Sequence, residues 1–135
     1  MPLFSIFDVS GSGMSAQSIR LNTTASNLAN AENISSSPEQ VYRARQPVFA
    51  TIMDNYSGNV EGVKVTNIIE SQMPPRKEYA PNNPLADEQG YVYLPNVNAI
   101  EEMANMISAS RSYQNNVEVM NTAKQMLLTT LRLGQ

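Results

Sequence analysis

Large apolar residues recur at strict seven-residue steps at the start of the chain: Phe7, Met14, Leu21 and Leu28. Phe4, Gly11, Ser18 and Ala25 stand three positions before each of them. This a/d spacing, held over nearly four repeats, predicts a helix within residues 1–31 that carries one large column and one mostly small column. The small column lets another backbone come close. Gly11 and Gly13 each cost about 1 kcal/mol against Ala inside a helix, and Ser, Thr and Asn crowd the rest of the segment. Such a helix is expected to form only when packed.

A second helix is expected at the other end. Asn98 followed by Glu101 resembles a capping box, and Pro95 lies just outside it. From there the pattern runs to Leu133, with Gly134 as a stop. Met103, Ser110, Val117, Lys124 and Leu131 form one heptad column; Met106, Tyr113, Met120 and Leu127 form the other. Ile100 and Ile107 widen the stripe. A helix of about 35 residues is roughly 52 Å long at 1.5 Å per residue. It needs a partner along its whole length, and the first helix is the natural one.

Between them, residues 32–95 change character. "VYRARQPVFATIM" and "VKVTNII" are β-like runs separated by the turn-rich "DNYSGNVEG". "QMPPRKEYAPNNPLADEQG" holds four prolines and reads as an irregular arm. "GYVYL" is one further short strand. The organisation expected is therefore an N-terminal axial helix over 1–31, a β-rich or extended middle over 32–95, and a C-terminal axial helix over 96–135. The fold class expected is mainly α, a coiled-coil core with a small β or extended segment.

Charge sharpens this picture. Only 16% of the residues are charged and fifteen are Asn, so amides take over much of the polar role. The first 31 residues carry only Asp8 and Arg20, and from position 99 onward three acids balance three bases. The net charge of −3 therefore sits in the middle. Two nearly neutral, striped ends point to burial against other protein, and no basic face invites nucleic acid. Phe7, Met14, Leu21 and Leu28 are expected to pack against Met103, Met106, Tyr113, Val117, Met120, Leu127 and Leu131. Asn27, Asn30, Asn98 and Asn115 are candidates for polar contacts that set register.

Chemistry is scarce. Without Cys or His there is no thiol nucleophile, no Cys/His zinc site and no Ser-His-Asp triad. "GSGMSA" fits G-x-G-x-x-A, with Glu32 about twenty residues on, but no second strand precedes that acid and no βαβ unit follows. Asp87-Glu88 reads as part of a turn, and Glu101-Glu102 cannot face each other on a helix. Met103, Met106 and Met120 suit an interface whose surfaces match imperfectly. Arg43, Arg45, Arg76 and Lys77 lie scattered among acids. No cofactor, metal, small-molecule substrate or membrane insertion is expected, and "MPLFSIFDVSGSG" lacks the basic start and long apolar run of a secretory signal.

The sequence also resembles a known family. "SAQSIRLNTTASNLANAEN" is similar to the N-terminal signature of the bacterial flagellar axial proteins, with Leu21-Asn22 and residues 25–30 at its centre. The C-terminal "GYVYLPNVNAIEEMANMISASRSYQNNVEVMNTAKQMLLTTLRLGQ" resembles the basal-body rod members, as do "NPLADEQGYV", "YRARQPVF" and "GVKVTNIIES". Thr23-Thr24 departs from the smaller apolar pair expected there. The resemblance implies a structural subunit, not an enzyme. Its ends would be disordered in the free monomer and pair as helices in the rod. It would leave the cytoplasm through the flagellar type III export apparatus and join other rod proteins and copies of itself in a helical tube across the periplasm. That tube would carry motor torque to the hook. Another rod-type axial subunit, or a soluble helical export chaperone or adaptor, is the competing reading; the adaptor would be folded to both ends when alone.

Overall fold

The computed structural model describes residues 3–53 and 60–133, with the side chains of residues 3 and 4 left aside. Two long helices bracket the chain: α1, Leu3–Ala29, and α2, Ala99–Leu133. Asn98 starts α2 by accepting the Ile100 and Glu101 amides on its Oδ1, at 3.1 and 3.4 Å, while its carbonyl accepts the Glu102 amide at 2.9 Å. Glu101 and Glu102 in the first turn and Arg132 in the last complement the helix dipole. The stop expected at Gly134 lies outside the described residues, as do the side chain of Phe4 and most of the 54–62 turn. α1 ends in tightened turns, where the Asn30 amide meets both the Ser26 and Asn27 carbonyls at 3.2 Å.

The middle of the chain is more ordered than its composition suggests. β1, Arg45–Met53, pairs antiparallel with β2, Val60–Glu70, as a twisted ribbon with irregularities at Val48/Phe49 and Ile52/Met53. β3, Arg76–Tyr79, pairs antiparallel with β4, Tyr91–Leu94, and Ser35 bridges to Tyr93 on the other side of β4. The expectation of a mainly α fold is therefore corrected: two helices and two small antiparallel sheets make a mixed α/β chain. The extra strand content has two sources. β2 extends for eleven residues with hardly any buried position, so no apolar alternation marks its ends. β3 is the wholly exposed "RKEY" directly after Pro75, held by its pairing with β4 and by Lys77, whose Nζ lies 4.0 Å from the centre of the Tyr91 ring.

Little of the interior is large. The biggest fully buried side chains are Val92, Asn27 and Pro95, and a small cluster of Ala31, Ala44 and Val97 with Tyr42 ties the end of α1 to the start of α2. Polar bonds do much of the remaining joining. The Asn27 Oδ1 accepts the Arg45 amide at 2.9 Å and the Tyr42 hydroxyl at 2.8 Å, and its Nδ2 donates to the Arg45 carbonyl at 2.8 Å. One side chain on α1 thus acts as a neighbouring strand for the first residue of β1. Asn96 accepts the Ala44 amide at 2.9 Å and donates to the Met73 carbonyl at 2.8 Å. Arg76 donates to the carbonyls of Pro95 and Ala31.

The loop before β4 turns on Asp87. Its Oδ1 accepts the Gln89 and Tyr91 amides at 2.9 Å, and its Oδ2 accepts the Tyr93 hydroxyl at 3.1 Å. Among the described residues Gly90 supplies the one positive φ, +82°, where a Cβ would also press on the Tyr79 ring. The Tyr91 amide, helped by those of the other donors and by Lys77, outweighs desolvation and holds the Asp87 carboxyl below its ordinary 3.8.

Asn27→Ala strands both backbone groups of Arg45 and the Tyr42 hydroxyl, and is expected to remove about 2–4 kcal/mol in urea unfolding. Asn30→Ala, which loses two solvent-exposed bonds, to the Ser26 carbonyl and from the Asn33 side chain, should change it by no more than about 0.5 kcal/mol. Because the folded Asp87 pKa is depressed, its support of the loop is complete above the unfolded value and fades as pH falls through the folded one. The Tyr91 amide resonance should therefore shift as pH drops below 3.8, and Asp87→Asn should abolish that step.

Candidate assembly interface

The two helices run antiparallel along a seam of small and polar side chains. Arg20 donates to the Asn105 Oδ1 at 3.2 Å. Further along, a Cβ at Gly13 would stand 2.9 Å from the Asn116 Nδ2, and one at Gly11 would stand 3.9 Å from the Met120 methyl. Among the described residues, those buried in α1 are Ser10, Ala16, Thr23, Thr24 and Asn27, and those buried in α2 are Glu102, Ala109 and Ala123. None is a large hydrophobe. Thr23 satisfies its hydroxyl on the Ile19 carbonyl at 2.8 Å, which makes the Thr23-Thr24 pair compatible with burial. Gln17 Oε1 is buried with no hydrogen-bond partner among the described residues, a polar cost inside the molecule.

A second side of α1 lies on the ribbon. The Ser12 hydroxyl donates to the Val9 carbonyl at 2.9 Å and accepts the Val63 amide at 3.1 Å. Gly62 makes the crossing possible, because a Cβ there would collide with the Ser12 Oγ. With Ser12 and Asn27 facing the ribbon, the column of Phe7, Met14, Leu21 and Leu28 falls on roughly the opposite side of the helix at 3.6 residues per turn.

All four of those residues are half-buried. On α2, Met106, Val117, Met120 and Leu127 are half-buried too, while Met103, Tyr113 and Leu131 are exposed at 48%, 38% and 61%. The Met120 side chain, reaching Gly11, brings the α2 column round to the same side of the pair as the α1 column. Ile100, Met103 and Ile107 point farther out, about half a turn around α2 from the seam. Large apolar side chains therefore form an outer face, and the seam behind it is small.

The four asparagines take different places. Asn27 is the buried bond hub described above. Asn30 closes α1, donating to the Ser26 carbonyl and accepting the Asn33 amide group at 2.7 Å. Asn98 caps α2, and Asn115 is exposed on it. The seam residues Ser10, Gly13, Gln17, Arg20 and Thr24 repeat at alternating steps of three and four, a spacing that Asn27 and Ala31 continue past it. Hydrophobic periodicity passes over them because they are small or polar. The matching signal on α2 is the pair Ala109 and Ala123 with Asn105 and Asn116 between and beside them. Among the described residues there is no group of three potential metal-ligating side chains, and no helix is long and apolar enough to cross a membrane.

Comparison with known proteins agrees with a chain whose two ends carry its character. A family model described as "Flagella basal body rod protein" matches residues 7–32, and one described as "Flagellar basal body rod FlgEFG protein C-terminal" matches residues 88–133. The chain is thus of the basal-body rod class. Over both full lengths it is 54% identical to the flagellar basal-body rod protein FlgC of Salmonella typhimurium. It is 52% identical to the FlgC of Yersinia enterocolitica and 44% to that of Buchnera aphidicola from Acyrthosiphon pisum, again across the whole of each chain. The chain belongs to the FlgC family of flagellar basal-body rod proteins, and is a structural subunit of that rod.

The tightness of the seam is testable. Gly13→Val should push Asn116 aside and lower stability to urea by about 1–3 kcal/mol. Adding Asn116→Ala should recover much of the loss, since the amide group that is crowded is then gone.

Proposed function

We propose that this chain polymerises into a helical tube with other rod proteins and with copies of itself, through the apolar face of its helix pair. Residues 1–31 and 96–135 would form the axial core of the tube, and residues 32–95 its lateral contacts. One observation carries this reading: the seam inside the subunit is small and polar, whereas Phe7, Met14, Leu21, Leu28, Met103, Met106, Tyr113, Val117, Met120, Leu127 and Leu131 are half-buried or exposed. Each large apolar side chain contributes about 1.5–3 kcal/mol only when water is fully removed from it. Neighbouring subunits are what would remove it.

The same imbalance suits export. Weak helix formers and, among the described residues, an interior without large buried hydrophobes would make a chain that unfolds readily and can be threaded through the type III apparatus. Outside the cytoplasm, docking neighbours would order the ends as helices. The assembled rod would cross the periplasm and pass torque to the hook. The chain's task in it is mechanical, and no catalytic step is required of it.

Leu21→Asp and Met120→Asp place a charge within the outer face. Each is expected to leave secretion into the medium largely intact while reducing the chain recovered in purified basal bodies at least tenfold, with loss of swimming. Normal incorporation of both variants would refute the packing face.

A further inference from the structure

Resting on that reading, we infer that the cavity between α1, β1 and the first turns of α2 receives a long basic side chain, Arg or Lys, from a neighbouring subunit. The cavity measures about 370 Å³. Two side chains on its wall are buried and unsatisfied. Glu102 of α2, 6% exposed, and Thr24 of α1, 4% exposed, have no side-chain hydrogen bond or ion pair among the described residues. Thr23, the preceding residue, shows the contrast, since its hydroxyl is bound to the Ile19 carbonyl. Among the described residues Gln17 Oε1 is the one unpartnered side-chain oxygen wholly closed off, so the oxygens of Glu102 and Thr24 remain open to the cavity. A buried carboxylate without a donor is costly, and a cation that reaches it offsets that cost.

The charges around the cavity favour a base once each is assigned its partner. Arg45 and Arg20 line it together with Glu101 and Glu102. Arg45 is engaged elsewhere: its Nε and Nη2 donate to Glu70 Oε1 at 3.1 and 3.0 Å, and Glu70 lies outside the lining. Arg20 then stands alone against two acids, and its Nη2 donates to the Asn105 Oδ1 at 3.2 Å instead of to either of them. One negative charge is left over. On the β1 side, Pro47 and the 39% exposed Phe49 supply an apolar wall. A long basic side chain suits both features, with its methylene stem along Phe49 and its N–H groups on Glu102 and Thr24. A metal ion suits neither, because no three potential ligating side chains gather among the described residues and an apolar wall offers it no oxygen. The cavity sits where β1 meets α2, the junction of the proposed lateral and axial contacts, so an adjoining subunit is the source of the base.

Recovery of the unsubstituted chain in purified basal bodies tests the rod reading by itself; Glu102→Gln tests the site. With no donor of its own chain to lose, the purified variant should unfold in urea at a midpoint no lower than the parent's. Its recovery in basal bodies should nevertheless fall about tenfold. A lowered midpoint makes Glu102 a structural group and overturns the proposal, as does undiminished recovery. The donor is located by placing the photoreactive residue p-benzoylphenylalanine at Gln46, an exposed residue of the lining, and irradiating purified basal bodies. The expected adduct joins that position to a peptide of another rod subunit that contains an Arg or Lys. Replacing that base by Gln should lower recovery as Glu102→Gln does, and the two changes together should lower it no further. Absence of an adduct, an adduct on a peptide without a base, or losses that multiply in the double variant each overturn the contact.

Discussion

Close approach of backbones governs this molecule. α1 is pressed on two sides, by α2 near Gly13 and by the β1–β2 ribbon near Ser12, and at both crossings one partner must have almost no side chain. At the first it is Gly13 itself that makes room for Asn116; at the second it is Gly62 that makes room for Ser12. Small residues permit the approach, but they bring little apolar area to bury. The hydrogen bonds of Ser12, Arg20 and Asn27 hold contacts where a more usual helix pair would use leucine.

From that constraint the rest follows. With the seam given to small side chains, the large ones have to sit beside it. Phe7, Met14, Leu21 and Leu28 of α1 and Met106, Tyr113 and Met120 of α2 flank it on the same side of the pair. The result is a subunit whose greatest apolar resource faces outward, continuous along both helices. In the proposed packing, this is the surface that neighbouring subunits would cover.

Much of this organisation was legible in the residues. The long C-terminal helix was marked at its start by Asn98 and along its length by the heptad, and the observed α2 keeps those limits up to Leu133. The strand at residues 91–94 and the first β run were likewise visible. Two features were not. β3, and the ends of β2 beyond the β-like run at residues 63–69, take their strand character from pairing and leave no alternation to read. The seam of α1 is a heptad-spaced run of Ser10, Gly13, Gln17, Arg20 and Thr24, offset from the large column, and a search for apolar periodicity is blind to it. Asn27 could be singled out as a buried amide candidate, but its bond to Arg45 joins residues eighteen apart through a turn whose path no local pattern specifies.

The two attachments between α1 and the ribbon have a mechanical corollary. Ser12 and Asn27 lie fifteen residues apart, about 22 Å along the helix axis. A plate pinned at one place can swivel; pinned at two separated places, it must turn with its shaft. Any sideways load that a neighbour exerts on the ribbon is therefore delivered to the helix as a twisting moment, with no slack at a hinge.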